Sequence, residues 1–198
     1  MAVKSNILVI CGPTASGKTA LAVELALRLG GEVVSADSMQ VYRGMDTGTA
    51  KPTPEEMRGV PHHMLDVADP EENYSVARYV HDAVPIVDGI LARGKLPIVA
   101  GGTGLYIDNL VAGRQFAPFE PDSGLRQTLQ ARAREEGLPT LRQELERVDP
   151  EAAGRIHPND EKRTLRALEV YLSTGRTISQ HDRESRALPN RYVPLTIA

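Results

Sequence analysis

The run Gly12-Pro13-Thr14-Ala15-Ser16-Gly17-Lys18-Thr19 satisfies G-x-x-x-x-G-K-[ST], the pattern of a loop that cradles the phosphates of a nucleotide or a phosphorylated substrate. Its glycines let backbone N–H groups turn inward on phosphate oxygens, and the helix that opens after it adds partial positive charge. Lys18 supplies a full charge, and the hydroxyl of Thr19 stands where it can ligate Mg²⁺. A motor ATPase or GTPase would carry a second apolar strand ending in Asp, but Leu96 to Ala100 runs into Gly101-Gly102-Thr103 instead. Asp37, at the end of the apolar run Glu32 to Ala36, is the better-placed acid: a general base, an outer-shell magnesium ligand, or simply a turn cap. Thr103 offers a hydroxyl to a ligand or caps a tight turn. In an open α/β sheet, ligands bind at the carboxyl ends of the strands, so the loop, Asp37 and Thr103 are predicted to converge on one crevice.

The elements that must hold these residues follow from hydrophobic patterning. Asn6 to Cys11 (NILVIC) reads as a buried strand, Lys18 to Leu29 as a helix ended by Gly30-Gly31, and Glu32 to Ala36 as a second strand. Ser38 to His63 is Gly- and Pro-rich, without clear periodicity, and too long for an idle connector. Ser75 caps a predicted long helix that Pro85 should kink and Gly94 should end. Leu96 to Ala100 is a third buried strand, followed by another helix. Beyond Gly113 the pattern turns to helices alone, with stripes at Leu125/Leu129/Ala133, Leu138/Leu141/Leu145/Val148 and Leu165/Leu168/Leu172. Tyr192 to Ala198 then returns to an apolar strand pattern, predicted to be a core strand, and an α/β domain that ends there reads as cut short. The expected organisation is an α/β core over residues 1–113, a helical insertion over 114–190 and a returning strand over 191–198.

Composition bounds the rest. The chain has 198 residues, 41% hydrophobic and 25% charged, enough for one domain with a full core and an appendage. Its apolar runs fall far short of the ~20 residues of a membrane helix, and a cytoplasmic protein is expected. The single cysteine, Cys11, excludes an internal disulfide and reads as a small core hydrophobe. Net charge is −3, but residues 114–198 hold 14 Lys+Arg against 13 Asp+Glu, and 13 of those cations are arginine. Arginine grips phosphate oxygens well, so this half is compatible with RNA contact as well as with solvated helix faces. Lys162, Arg163 and Arg166 fall within about one turn, either a phosphate clamp or a solvated face. His62, His63 and Asp66 lack further ligands at metal-site spacing.

Taken together, the motifs resemble the tRNA dimethylallyltransferases, also called tRNA isopentenyltransferases. The matching segments are GPTASGKT, SADSMQVYRGMDTGTAKP (Ser35 to Pro52), PHHMLDVADP (Pro61 to Pro70), YSVARYVHDA (Tyr74 to Ala83), GGTGLYI (Gly101 to Ile107) and HPNDEKRTLRALEVY (His157 to Tyr171). The first is shared with many kinases; the second and GGTGLY are specific to this family and its free-nucleotide relatives. The resemblance implies a P-loop NTPase-like parallel sheet flanked by helices with a helical insertion. It also implies transfer of a dimethylallyl group from dimethylallyl diphosphate to N6 of the adenosine 3′-adjacent to the anticodon in tRNA. Carried over by position, Gly12 to Thr19 hold the diphosphate with Mg²⁺ on Thr19, Asp37 is the general base, and Thr103 assists. Asp37, Ser38, Met39 and Gln40 would touch tRNA, as would Arg126 and Lys162, Arg163, Thr164, Leu165 and Arg166. The family's chain continues past the position of residue 198 with RNA-contacting sequence, and a monomer is expected. An adenine-nucleotide isopentenyltransferase, a P-loop small-molecule kinase and a binding-only RNA module are the alternatives.

Overall fold

The computed structural model of the protein describes residues 5–114, 116 and 123–198. The chain divides into two compact units: one takes the residues up to Arg114 and returns from Pro189 to Ala198, and the other is the segment between them.

The first unit is built on a parallel sheet of β1 (Ser5–Cys11), β2 (Gly31–Ser35), β3 (His62–His63), β4 (Leu96–Gly101) and β5 (Tyr192–Ile197), in the order β3-β2-β4-β1-β5. Strands buried on both faces need apolar residues at successive positions, which is why β1 and β4 read as continuous apolar runs. Because side chains alternate across a strand, each run feeds two cores. Ile7, Val9, Val34 and Val99 pack under α3 (Val76–Ala92) and α4 (Gly104–Ala112) with Tyr79, Val87, Ile90, Tyr106 and Leu110. On the other face, Leu8, Ile10, Val33 and Ile98 meet Ala22, Val23 and Ala26 of α1 (Lys18–Leu29). The chain therefore leaves β1 over one face and β4 over the other, and the carboxyl ends of these adjacent strands open a crevice where a ligand can enter. This is the P-loop NTPase-like architecture that the sequence implies.

Several elements differ from the sequence reading. The helix capped by Ser75, whose Oγ accepts from the Arg78 amide at 3.2 Å, runs through Pro85 as one element to Ala92. Pro85 sits on the exposed side, where water can meet the carbonyl that its missing N–H leaves open. Between β2 and α3 the chain forms a 3₁₀ turn (Thr47–Thr49), α2 (Pro54–Met57) and the two-residue β3. The strand at Tyr192 is an edge strand rather than a core strand. Among the described residues it pairs only with β1, and of its six residues Tyr192 alone is buried, while Val193, Leu195 and Ile197 are exposed. Tyr192 anchors it by donating to Asp88 Oδ1 at 2.8 Å.

The second unit is helical: α5 (Ser123–Glu135), α6 (Leu138–Val148), α7 (Pro150–Arg155), α8 (Glu161–Thr174) and α9 (Ile178–Ala187). Its core gathers Leu129, Leu141, Leu145, Ala153, Leu165 and Leu168. Leu172, predicted to continue the α8 stripe, is 45% exposed; Thr164, Ala167 and Val170 share the buried arc instead. Asp149 is buried because its carboxylate caps α7 through the Ala152 amide (3.0 Å) and also accepts from the Ser179 amide (3.1 Å), tying α7 to α9.

Glu32 is a charged residue inside the apolar strand β2. Its side chain is 4% exposed and meets Arg93 Nη2 at 2.8 Å, Lys95 Nζ at 2.9 Å and His63 Nε2 at 2.8 Å. Burial alone would raise its pKa, but the hydrogen bonds from Lys95, His63 and Arg93 outweigh that and hold it down to about 2. A carboxyl depressed on folding stabilises the protein above its unfolded value, and that contribution is lost as pH falls toward the folded value. Glu32→Gln should therefore cost up to roughly 3 kcal/mol at pH 7, less whatever solvent screening of the half-exposed Arg93 and Lys95 removes. In urea titrations the penalty should shrink by about half or more at pH 3. A penalty that is the same at both pH values would contradict this account of Glu32.

Candidate active site

The loop between β1 and α1 holds its shape through residues that accept unusual backbone angles. Gly12 (φ 150°) and Gly17 (φ 82°) occupy conformations that L side chains rarely adopt, and Ala15 (φ 64°) joins them in the left-handed region. Residues in such conformations cluster where a loop must bend around a ligand. Helix α1 begins at Lys18 with no side-chain cap on its first amides and no acidic residue in its first turn. Those amide groups and the positive end of the helix are thus open to an anion. The Lys18 ammonium folds back to donate to the Pro13 carbonyl, and Thr19 is half-buried.

β4 lies between β2 and β1, so its end brings the Asp37 segment and the phosphate loop to one edge of the sheet. At Gly101 the contact is close enough to require glycine, whereas at Gly102 a Cβ would meet only ordinary van der Waals contact. A Cβ on Gly101 would stand 2.2 Å from the Ala36 carbonyl oxygen, and one on Gly102 would stand 3.6 Å from the Gly12 carbonyl oxygen. The strand ends are also hydrogen-bonded together. The Ala36 amide donates to Ala100 O at 2.8 Å, the Thr103 amide to Ala36 O at 3.1 Å, and the Ser38 amide to Thr103 Oγ1 at 3.0 Å. Thr103 Oγ1 in turn donates to Ser38 Oγ at 3.3 Å. The hydroxyl of Thr103 thus fastens the residue next to Asp37.

Asp37 is half-buried. Its Oδ1 accepts from the amides of Met39 (2.9 Å) and Gln40 (3.3 Å), capping the turn that follows β2. Among the described residues Oδ2 has no hydrogen bond, so capping and chemistry are compatible in one carboxylate.

Of the other residues around Asp37, Met39 is exposed, but Gln40 is turned inward. Its Oε1 accepts from Ser35 Oγ at 3.0 Å, and its Nε2 donates to the carbonyls of Thr49 (3.1 Å) and Ala50 (3.2 Å). The half-buried Gln40 amide holds the long loop against β2 through these bonds. Lys51 does similar work. Its side chain is 6% exposed, and its ammonium donates to the Tyr42 carbonyl (2.9 Å), Asp46 (2.7 Å) and Asp66 (2.6 Å). His63 turns to Glu32 and Asp66 to Lys51, so His62, His63 and Asp66 form no common site.

Two residues outside the sequence-based site border it. Tyr79 is fully buried and donates to the Ser35 carbonyl at 3.0 Å; Tyr106 stacks on it with ring centroids 4.1 Å apart and planes 13° from parallel. Tyr79 was legible only as an apolar helix position, although Tyr106 belongs to the GGTGLY segment.

Arg126 and the Lys162 to Arg166 segment lie in the second unit, on α5 and α8. Lys162 and Arg163 are exposed, with Arg163 Nε 3.4 Å from Asp160, and Arg166 pairs with the buried Glu169 at 3.0 Å. Thr164 and Leu165 are buried in the unit's own core, 0% and 7% exposed, which removes their side chains from RNA contact.

No helix among the described residues is long and apolar enough to cross a membrane. Residues 40–198 match the family model for IPP transferase. A tRNA dimethylallyltransferase of Acetivibrio thermocellus is 51% identical over 187 residues, covering 94% of this chain and 60% of that protein. One from Geobacter sulfurreducens is 50% identical over 189 residues, 96% of this chain and 60% of that protein. Among solved structures, the full-length tRNA isopentenylpyrophosphate transferase of Bacillus halodurans is 44% identical with a TM-score of 0.58, over 98% of this chain and 61% of that one. A eukaryotic dimethylallyltransferase caught acting on tRNA is 30% identical with a TM-score of 0.80, over 97% and 47%. The chain spans about three-fifths of the length of the curated relatives it matches. The GPTASGKT loop, the Asp37 turn and the Gly-Gly-Thr strand end thus sit in a chain whose greater part fits one family model, and the protein belongs to the IPP transferase family.

Proposed function

We propose that the protein transfers a dimethylallyl group from dimethylallyl diphosphate to N6 of the adenosine 3′-adjacent to the anticodon in tRNA. The observation that carries this reading is the meeting of an open phosphate loop with Asp37 and Thr103 on neighbouring strand ends. The names of the relatives, tRNA dimethylallyltransferase, support the choice of group and acceptor, and such an acceptor implies work in the cytoplasm.

The chemistry asks little that these residues do not supply. The C1–O bond to the diphosphate breaks while a C1–N6 bond forms, and the allylic carbon spreads the positive charge between them. Stabilising the departing diphosphate is then the main task, met by the loop amides, the start of α1 and Lys18, which exchanges the Pro13 carbonyl for a phosphate oxygen. As its nitrogen bonds to carbon, the amino group becomes strongly acidic, and Asp37 Oδ2 takes the proton. Asp37 needs hydrogen-bond reach rather than an unusual pKa.

The donor set suits Mg²⁺. Thr19 offers a hydroxyl oxygen that can take one place in the shell, with the diphosphate and water to supply others. Bound there, the ion would neutralise charge on the leaving group. In the second unit, exposed Lys162 and Arg163 with Arg126 are the proposed contacts to the RNA backbone, which orient the acceptor without reading sequence. The target base must leave its stack to react.

Labelled dimethylallyl diphosphate, Mg²⁺ and unmodified tRNA, without ATP, should yield label on the adenosine beside the anticodon. Label on AMP or ADP alone would favour a free-nucleotide enzyme, and a requirement for ATP would favour a kinase. Asp37→Asn keeps an oxygen for the turn and should lower transfer about 100-fold or more with diphosphate binding nearly intact; a large loss of diphosphate affinity would remove Asp37 from the base role. Lys162→Ala with Arg163→Ala should weaken tRNA binding and reduce its salt dependence by about one to two counterions. Unchanged affinity across a salt series would return both residues to a solvated face.

A further inference from the structure

Lys51 carries a full charge, yet its side chain is only 6% exposed, and the three N–H donors of its ammonium meet three acceptors: the Tyr42 carbonyl, Asp46 and Asp66. With its donors taken, Lys51 acts through what it holds. That is a closed circuit of hydrogen bonds around Gln40. Gln40 Nε2 donates to Thr49 O at 3.1 Å and Ala50 O at 3.2 Å, the two residues before Lys51. The Gln40 carbonyl accepts from the Asp66 amide at 3.2 Å, and Asp66 Oδ1 accepts from Lys51 Nζ at 2.6 Å. The Gln40 backbone amide donates in turn to Asp37 Oδ1 at 3.3 Å. Lys51 is thus the link that joins the loop ending at Ala50 to the segment of Asp66, and both grip the residue that closes the Asp37 turn. The backbone on either side of that link is strained. Ala50 (φ 50°), Met64 (φ 63°) and Asp66 (φ 55°) stand in the left-handed region without being glycine. Such residues persist only where the surroundings over-determine them, and they collect at functional sites.

We infer that Lys51 is a positioning residue for the transfer: by clamping the two segments that grip Gln40, it fixes the turn on which Asp37 meets the accepting amino group. This rests on the transfer reaction proposed above, with Asp37 as its base. A buried ammonium suits the task because each of its bonds fixes a different segment. Tyr42 lies in the stretch that leaves the turn, Asp46 precedes the 3₁₀ turn, and Asp66 follows β3. An apolar side chain would fill the same space without direction. A small displacement of the Asp37 carboxylate slows proton removal, while the phosphate loop, formed after a different strand, binds the donor as before.

Lys51→Met fills much of the same space and removes the three donors. In transfer assays on an anticodon stem-loop it should lower kcat by about 10- to 100-fold and leave KM for dimethylallyl diphosphate nearly unchanged. In the Asp37→Asn background, where no base remains to be positioned, the same substitution should change kcat by less than about threefold. A loss that came only from general destabilisation would appear in both backgrounds. Hydrogen exchange of the Met39 and Gln40 amides, which Asp37 caps, should quicken by about tenfold or more, while the amides of β1 keep their protection. Asp66→Asn retains the left-handed backbone and an uncharged acceptor; it should shift both readouts in the same direction by less, and it carries the test if Lys51→Met does not fold. Wild-type kcat in the variant, an equal loss with and without Asp37→Asn, or unchanged exchange at Met39 and Gln40 would overturn the inference while leaving the transfer reaction in place. Wild-type protein that transfers to no adenosine would overturn both.

Discussion

The hydrogen bond from the Ser38 amide to the Thr103 hydroxyl, with the Thr103 amide on the Ala36 carbonyl, joins the carboxyl ends of β2 and β4 where the site is assembled. A general base is useful only if it is held near the group it serves, and Asp37 sits on a turn, the kind of segment that otherwise wanders. Here the turn is fixed on three sides: by Thr103, by the amides that Asp37 itself caps, and by the glycine at 101 that lets the strand ends close. The phosphate loop, one strand further along, needs no such bracing because it is formed by the strand and helix on either side of it.

Behind the site, buried polar groups do the positioning that an apolar core cannot do with direction. Gln40 fastens the long loop to Ser35, Lys51 draws Tyr42, Asp46 and Asp66 together, and Glu32 gathers Arg93, Lys95 and His63 at the opposite end of β2. Each is nearly fully satisfied, which is what makes a buried charge tolerable and its geometry definite. The long loop, rich in glycine and proline, is held by the contacts of Gln40 and Lys51 more than by regular structure.

What could be read from the sequence follows the range of the interactions. Strand β1, the phosphate loop and α1 are coded within 25 residues of continuous pattern, and Lys18 to Leu29 is the observed helix. The two-residue β3 rests on pairing with Val33 and Val34, some thirty residues away, and its own residues, two histidines, carry no strand signal. The role of Glu32 depends on partners 31 to 63 residues away, and that of Lys51 on partners 5 to 15 residues away that carry no regular pattern. Tyr192 to Ala198 was apolar enough for a core strand, but its position in the sheet, set by pairing to β1 alone, left it at the edge. In α8 a segment of five successive residues sweeps more than a full turn, so a cluster named as a block from Lys162 to Arg166 had to include side chains that face the core. Convergence of Asp37, Thr103 and the phosphate loop was legible because parallel strands share one carboxyl edge; the inward turn of Gln40 was not.

The account stands on Asp37 being held by its turn and the β4 end at the point where the accepting amino group must lie. A crystal structure of the protein with an unreactive thio analogue of dimethylallyl diphosphate and an unmodified anticodon stem-loop tests this directly. The expected result is a diphosphate on the loop amides and Lys18, with Asp37 Oδ2 within about 3.2 Å of N6 of the adenosine beside the anticodon. An ordered complex in which that nitrogen lies beyond hydrogen-bond reach of Asp37, directly or through one water, would contradict it.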